Sequence, residues 1–113
     1  MEGRQPKIIY VDIDGTICTI SKPYSDAKPI PEHIEKINKL YDEGHQIIYY
    51  TARGMGEFDG SYRLANKKWY NITEEQLKTW GAKYTKLIIG KYSGDYYIDD
   101  KGINPEQFFA SCK

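Results

Sequence analysis

Sulfur is scarce in this chain: among 113 residues there are two cysteines, Cys18 and Cys112, and two methionines. Two thiols near opposite ends have neither the number nor the spacing of a disulfide framework or a zinc site, so free thiols in a reducing compartment are expected. No charge of one sign dominates either. Lys and Arg total 16 and Asp and Glu total 16, so no overall field draws the protein to nucleic acid or to an anionic membrane surface. The Lys67-Lys68 pair reads as part of a solvated helix face. Long apolar runs are absent as well. The run that follows Lys7 is only a few residues long and ends in an aspartate, unlike a signal peptide or a membrane span, and a cytoplasmic location is expected. With no internal repeat, low-complexity tract or linker, residues 1–113 read as a single domain.

What is present is ordinary for a soluble globular protein: 40% hydrophobic and 28% charged residues, which argues against disorder. Tyrosine is abundant, at 11, and most of these rings are expected in the core or in half-buried strands. His33 and His45 stand near the start of a predicted helix and a predicted strand and read as surface residues, not ligands.

Lys7-Ile8-Ile9-Tyr10-Val11-Asp12-Ile13 is a nearly all-apolar, β-branched run, as a strand covered on both faces would be. Residues 16–31 hold Pro23, Pro29 and Pro31 and read as a loop or small hairpin. Pro31 suits the first turn of a helix carrying Ile34, Ile37, Leu40 and Tyr41, which Gly44 closes. His45-Gln46-Ile47-Ile48-Tyr49-Tyr50-Thr51 is a second strand, followed by a loop with Gly54, Gly56 and Gly60. Residues 61–70 form one helix and Thr73-Glu74-Glu75-Gln76 supplies a capping-box start for another, ended by Gly81. Lys86-Leu87-Ile88-Ile89-Gly90 and Tyr96-Tyr97-Ile98-Asp99 are two further strands, and Asn104-Pro105-Glu106 opens a last short helix. Strands alternating with helices imply a parallel α/β sheet with right-handed crossovers and helices on its faces.

In such open sheets ligands bind at the carboxyl ends of the strands, and the polar residues gather there: Asp12 and Asp14, then Thr51 and Arg53, then Asp99 and Asp100. Side chains two apart in a strand point the same way, so Asp12 and Asp14 can converge on one ligand while Gly15 turns the chain away. Two close carboxylates repel unless a cation sits between them, and oxygen ligands suit Mg²⁺. One carboxylate can attack phosphorus while the other protonates the leaving oxygen. Asp-x-Asp-Gly alone is also an ordinary turn sequence. The accompanying polar strand ends favour chemistry.

With these residues the chain resembles the haloacid-dehalogenase superfamily, whose four motifs match Asp12-Ile13-Asp14-Gly15-Thr16, Thr51, a lysine, and Asp99-Asp100 over roughly residues 7–101. Tyr50-Thr51-Ala52-Arg53-Gly54-Met55, Gln76-Leu77-Lys78-Thr79-Trp80-Gly81 and Tyr97-Ile98-Asp99-Asp100-Lys101 further resemble the small capless capsular polysaccharide biosynthesis phosphatases. The resemblance implies a three-layer, Rossmann-like fold with a small parallel β-sheet and no or minimal cap. It implies Asp12 as nucleophile and Mg²⁺ ligand, the Asp14 carbonyl as a second ligand, and the Asp14 carboxyl as acid and base. Thr51 would hydrogen-bond a phosphoryl oxygen. Asp99 would bind the metal, with Asp100 beside it or acting through water. Lys86 and Lys91 both precede Asp99; Lys91 is preferred because it stands at the carboxyl end of its strand, although Tyr92 follows it where similar proteins have proline. Thr16, Ala52 and Arg53 are candidate substrate contacts, Arg53 as an anion clamp.

The expected activity is Mg²⁺-dependent hydrolysis of a phosphate monoester through an aspartyl-phosphate, on a sugar phosphate or a related small metabolite. An acid at position 14 favours phosphatase or phosphomutase over dehalogenase. A second reading is a polynucleotide or nucleotide phosphatase, since a capless site is open to large substrates; the neutral charge weighs against nucleic acid. A third is a binding module that lost turnover, which the intact acids at 12, 14 and 99 disfavour. A short loop at residues 16–31 and another at residues 54–60 cannot form a full cap, so either the substrate is large or a homo-oligomer closes the site over a small sugar phosphate.

Overall fold

The computed structural model describes residues 5–111; Cys112 lies outside them. Strand β1 spans Ile8–Val11, helix α1 Pro31–Asp42, strand β2 Gln46–Thr51, helix α2 Tyr62–Thr79, strand β3 Lys86–Ile89 and helix α3 Pro105–Ser111. The three strands form one parallel sheet in the order β1-β2-β3, with Val11 opposite Tyr49 and Thr51 opposite Ile89. This is a small parallel α/β fold of Rossmann-like type.

Pro31 opens α1 at its first turn, where its missing N–H costs nothing, and Ile34, Ile37 and Leu40 form the buried stripe. Gly44 closes it at φ +101°. The loop before α1 contains a short 3-10 turn, Tyr24–Asp26. Bridges from Cys18 to Asp14 and Pro29 hold that loop together. The Cys18 thiol is buried and donates to the Ile13 carbonyl at 3.6 Å.

Both crossovers, β1 to β2 and β2 to β3, step across the sheet in the same direction. Right-handed crossovers stepping one way put their helices on one face. The core follows that rule: Val11, Ile47, Tyr49 and Leu87 of one sheet face pack with Ile34, Ile37 and Leu40 of α1, Leu77 of α2 and Phe109 of α3. The register puts Ile8, Tyr10, Ile48, Tyr50 and Ile88 on the other face.

Four sequence expectations need correction. The tyrosines are mostly not in the core or in half-buried strands, since Tyr10, Tyr41, Tyr62, Tyr92, Tyr96 and Tyr97 are exposed. The two helices predicted over 61–80 are one, α2, capped by Ser61, whose Oγ accepts from the Leu64 N–H. Nothing between Tyr70 and Thr73 breaks the helix, and Thr73 is buried mid-helix, where it serves a side chain described below instead of capping. His45 is buried, not on the surface; its Nδ1 accepts from the Lys7 N–H at 3.0 Å and ties the segment before β1 to β2. Residues 96–99 do not form a strand. A strand exists only as one member of a ladder, and no described strand lies alongside them.

Candidate active site

Asp12 follows directly on β1, Thr51 ends β2, and Lys91 comes two residues after the end of β3, so the parallel register alone gathers them at one sheet edge. The Thr51 carbonyl accepts from the N–H groups of both Gly90 and Lys91, each at 3.1 Å. That pair of bonds turns the chain and aims Lys91 back over β1. Its Nζ stands 4.0 Å from Asp12 Oδ1, with the Asp12 side chain 37% exposed and that of Lys91 22%. Lys86 starts β3, at the opposite edge of the sheet; Lys91 is the lysine brought to Asp12. Burial pushes the Asp12 carboxyl above its ordinary value of 3.8, with Lys91 and the Ile13 N–H pulling the other way. A carboxylate stripped of part of its water and held by one cation is suited to nucleophilic attack.

Asp14 is held differently. Arg53 Nε donates to its Oδ2 and Arg53 Nη2 to its Oδ1, both at 2.9 Å, a bidentate pair. The remaining Arg53 nitrogen donates to Thr73 Oγ1 at 3.2 Å and to Gln76 Oε1, and the Tyr24 ring lies 4.9 Å from the guanidinium carbon. The Arg53 side chain is fully buried. All three of its nitrogens donate inside the protein, so the expected anion clamp is in place an anchor for Asp14. Thr73 and Tyr24, which complete the anchor with Gln76, carry no functional motif of their own. Gln76 also donates to the Tyr24 carbonyl at 2.8 Å, and the Tyr24 hydroxyl accepts from the Gly54 N–H at 3.2 Å.

The Thr51 side chain is buried, and its Oγ1 accepts from the Arg53 N–H at 3.2 Å. Thr16 sits in the turn after Asp14, its carbonyl 2.7 Å from His33 Nδ1, and His33 stacks on Phe109 at 3.8 Å. Half-buried Ala52 links Thr51 to Arg53, and its carbonyl accepts from the Met55 N–H. Gly54 then turns at φ +80°, where a Cβ would lie 2.4 Å from Trp69 Cδ1. A concavity of about 510 Å³ lies between Ser25, Ala27, the α2 residues Ile72 and Gln76, and Trp80 just beyond that helix; it is lined by none of the predicted site residues.

Asp99 and Asp100 are not brought to this edge. Both are exposed, and Asp99 Oδ1 accepts from the N–H groups of Lys101 and Gly102 at 2.7 and 2.6 Å, an Asx turn. Among the described residues no group of three or more His, Cys, Asp or Glu side chains is placed to hold a metal. Of the expected Mg²⁺ ligands, Asp12 stands at this edge and the Asp14 carbonyl is left untouched by Arg53, which takes only the Asp14 side chain, whereas Asp99 is engaged in its own turn. No helix among the described residues is long and apolar enough to cross a membrane.

No protein-family model matches the chain. A Bacillus cereus protein described as "Putative nucleotidase" is 28% identical over 80 residues, which cover 69% of this chain and 42% of that protein. The chain therefore spans less than half the length of that relative. A crystal structure from Vibrio cholerae is 29% identical and matches with a TM-score of 0.87 over 95% of this chain and 89% of that one, so the fold is one found in a solved protein.

Proposed function

We propose that the chain is a phosphate monoester hydrolase in which Asp12 is the nucleophile. The observation that carries this reading is the partly desolvated Asp12 carboxylate at the carboxyl end of β1, 4.0 Å from Lys91 Nζ. An oxygen of Asp12 forms the bond to phosphorus as the bond to the leaving oxygen breaks, and water later splits the aspartyl-phosphate to regenerate the carboxylate. Lys91 offsets the charge that gathers on the phosphoryl oxygens. Asp14 is assigned the proton: it protonates the departing alkoxide and takes a proton from the attacking water. As held, both its oxygens accept from Arg53, so each protonation costs one of those bonds. Resemblance to the haloacid-dehalogenase superfamily, the likeness to a relative named as a nucleotidase, and the open, capless edge support the same reading. No step is routed through Mg²⁺.

That relative's name favours a nucleotide monophosphate as substrate; the resemblance to capsular polysaccharide phosphatases favours a sugar phosphate. Phosphate release from a panel of nucleotides, phosphorylated sugars and 5′-phosphorylated oligonucleotides, with and without Mg²⁺, separates the two. Turnover of at least one monoester is expected, with Asp12→Asn inactive and folded. Silence of the unmodified chain across the panel, or turnover surviving in Asp12→Asn, overturns the assignment.

A further inference from the structure

Lys91 carries its charge on a flexible four-carbon stem, and the rotamer freedom of that stem works against any fixed placement. Among the described residues its ion pair is the 4.0 Å approach to Asp12 Oδ1, too long for a hydrogen bond to hold the ammonium in place. A second neighbour is closer to an ideal contact. The Nζ lies over the Tyr97 ring, 4.3 Å from its centre, well inside the range in which a ring face attracts a cation. It is the shortest such approach among the described residues, the others lying at 4.9 to 5.7 Å. Tyr97 is itself held. Its hydroxyl donates to the Tyr92 carbonyl and accepts from the Gly94 N–H at 3.0 Å, so residues 92–97 close on themselves and the ring is tied to the turn that carries Lys91. The Tyr92 side chain is exposed; what that position supplies is its carbonyl. The start of the turn is fixed in its own right, because the Thr51 carbonyl takes the N–H groups of both Gly90 and Lys91.

We propose that Tyr97 is a positioning residue whose ring face holds the Lys91 ammonium beside Asp12, a role that rests on the phosphatase reading. Arg53 and Lys91 are held by opposite means. Arg53 is locked by oxygen acceptors, and each acceptor takes one of its donors, the Asp14 carboxylate offsetting its charge as well. An aromatic face does neither. It attracts the ammonium through the ring quadrupole and takes none of its three N–H donors. Lys91 therefore keeps both donors and charge for Asp12 and for the phosphoryl oxygens on which negative charge gathers. A cation fixed before the reaction needs no reordering as that charge develops, and this is how such a group lowers a barrier. The hydroxyl bonds to Tyr92 and Gly94 set the plane of the ring, so a half-exposed side chain in a loop still presents one face to the lysine. Tyr97 acts through Lys91, and a lysine released by it would trade one placement for the many that its stem allows.

The test is a double-mutant cycle in kcat/KM, measured with the best monoester of the panel and with acetyl phosphate, which has no ring to stack on a tyrosine. Tyr97→Leu should lower kcat/KM by roughly 3- to 30-fold, the range of a partly desolvated contact between a cation and a ring. Tyr97→Phe, which keeps the ring face, should lose less. In a Lys91→Ala background Tyr97→Leu should cost nothing further, since a group that acts through the lysine has nothing left to act on. Tyr96→Leu, one residue away and 86% exposed, should leave kcat/KM unchanged. An equal loss with and without Lys91, Tyr97→Phe falling as far as Tyr97→Leu, or a matching loss in Tyr96→Leu overturns the proposal. So does a loss confined to substrates with a ring, which would make Tyr97 a substrate contact. A second measurement does not depend on turnover. The Tyr97 ring current should move the ε-methylene proton resonances of Lys91, identified by their absence in Lys91→Ala, upfield, and Tyr97→Leu should return them to the position of a free lysine. Finding them at that position in the unmodified protein overturns the holding of Lys91 by the ring. A chain inert toward acetyl phosphate and the whole panel counts against the phosphatase reading, and the resonances still decide whether Tyr97 holds the lysine.

Discussion

At the scale of single residues, Asp12 and Asp14 have the same chemistry and opposite surroundings. Asp12 is partly desolvated against one lysine; Asp14 is gripped by a buried arginine. Because burial raises the Asp12 pKa, the folded protein binds that proton more tightly than the unfolded chain does. Stability from this group is therefore full below about 3.8 and declines as pH rises through the raised folded value. At neutral pH its charge is a cost to the fold, so Asp12→Asn should abolish turnover and melt at an equal or higher temperature than the parent. Calorimetry at pH 7 beside an activity assay checks both, and a lower melting temperature would contradict the burial argument. The acid limb of kcat/KM should lie above 3.8 and move higher still in Lys91→Ala, since Lys91 is the main influence holding that pKa down. Removing Arg53 has the opposite character. Arg53→Ala strands the Asp14 carboxylate, Thr73 and Gln76, a loss of about 3 kcal/mol for a broken buried pair. Urea unfolding should show it, with partial recovery when Asp14→Asn removes the orphaned charge. The placement of Asp12 and Lys91 at one sheet edge was legible from strand ends. Arg53 was legible as a candidate anion contact but not as an anchor, because Thr73 and Gln76 lie 20 and 23 residues away and only the folded α2 brings them to it.

At the scale of elements, patterns with local causes were legible and those with distant causes were not. Pro31, the apolar stripe of α1 and Gly44 predict a helix that forms as expected, and the β-branched runs of β1, β2 and β3 all form strands. The capping box at Thr73 was misleading: Thr73 has the right chemistry to start a helix, but its hydroxyl is taken by Arg53 and α2 runs through it. The loop between β2 and α2 depends on close approach at Gly54. With φ +80° and a Cβ position 2.4 Å from Trp69, Gly54→Ala must both strain the backbone and displace the indole. It should cost about 1 to 3 kcal/mol, read from the urea midpoint. Gly56, whose Cβ would meet nothing closer than 4.0 Å, should accept alanine at little cost, and a Gly56→Ala loss as large as that at Gly54 would refute the packing argument.

At the scale of the whole molecule, alternating strands and helices were enough to read a parallel sheet, since parallel neighbours need crossovers and crossovers have one hand. They were not enough to tell which face each helix covers, because an all-apolar strand looks the same whether a helix or another molecule lies on it. Residues 96–99 show the same ambiguity: their composition is that of a strand, yet composition does not name the neighbour that supplies the ladder.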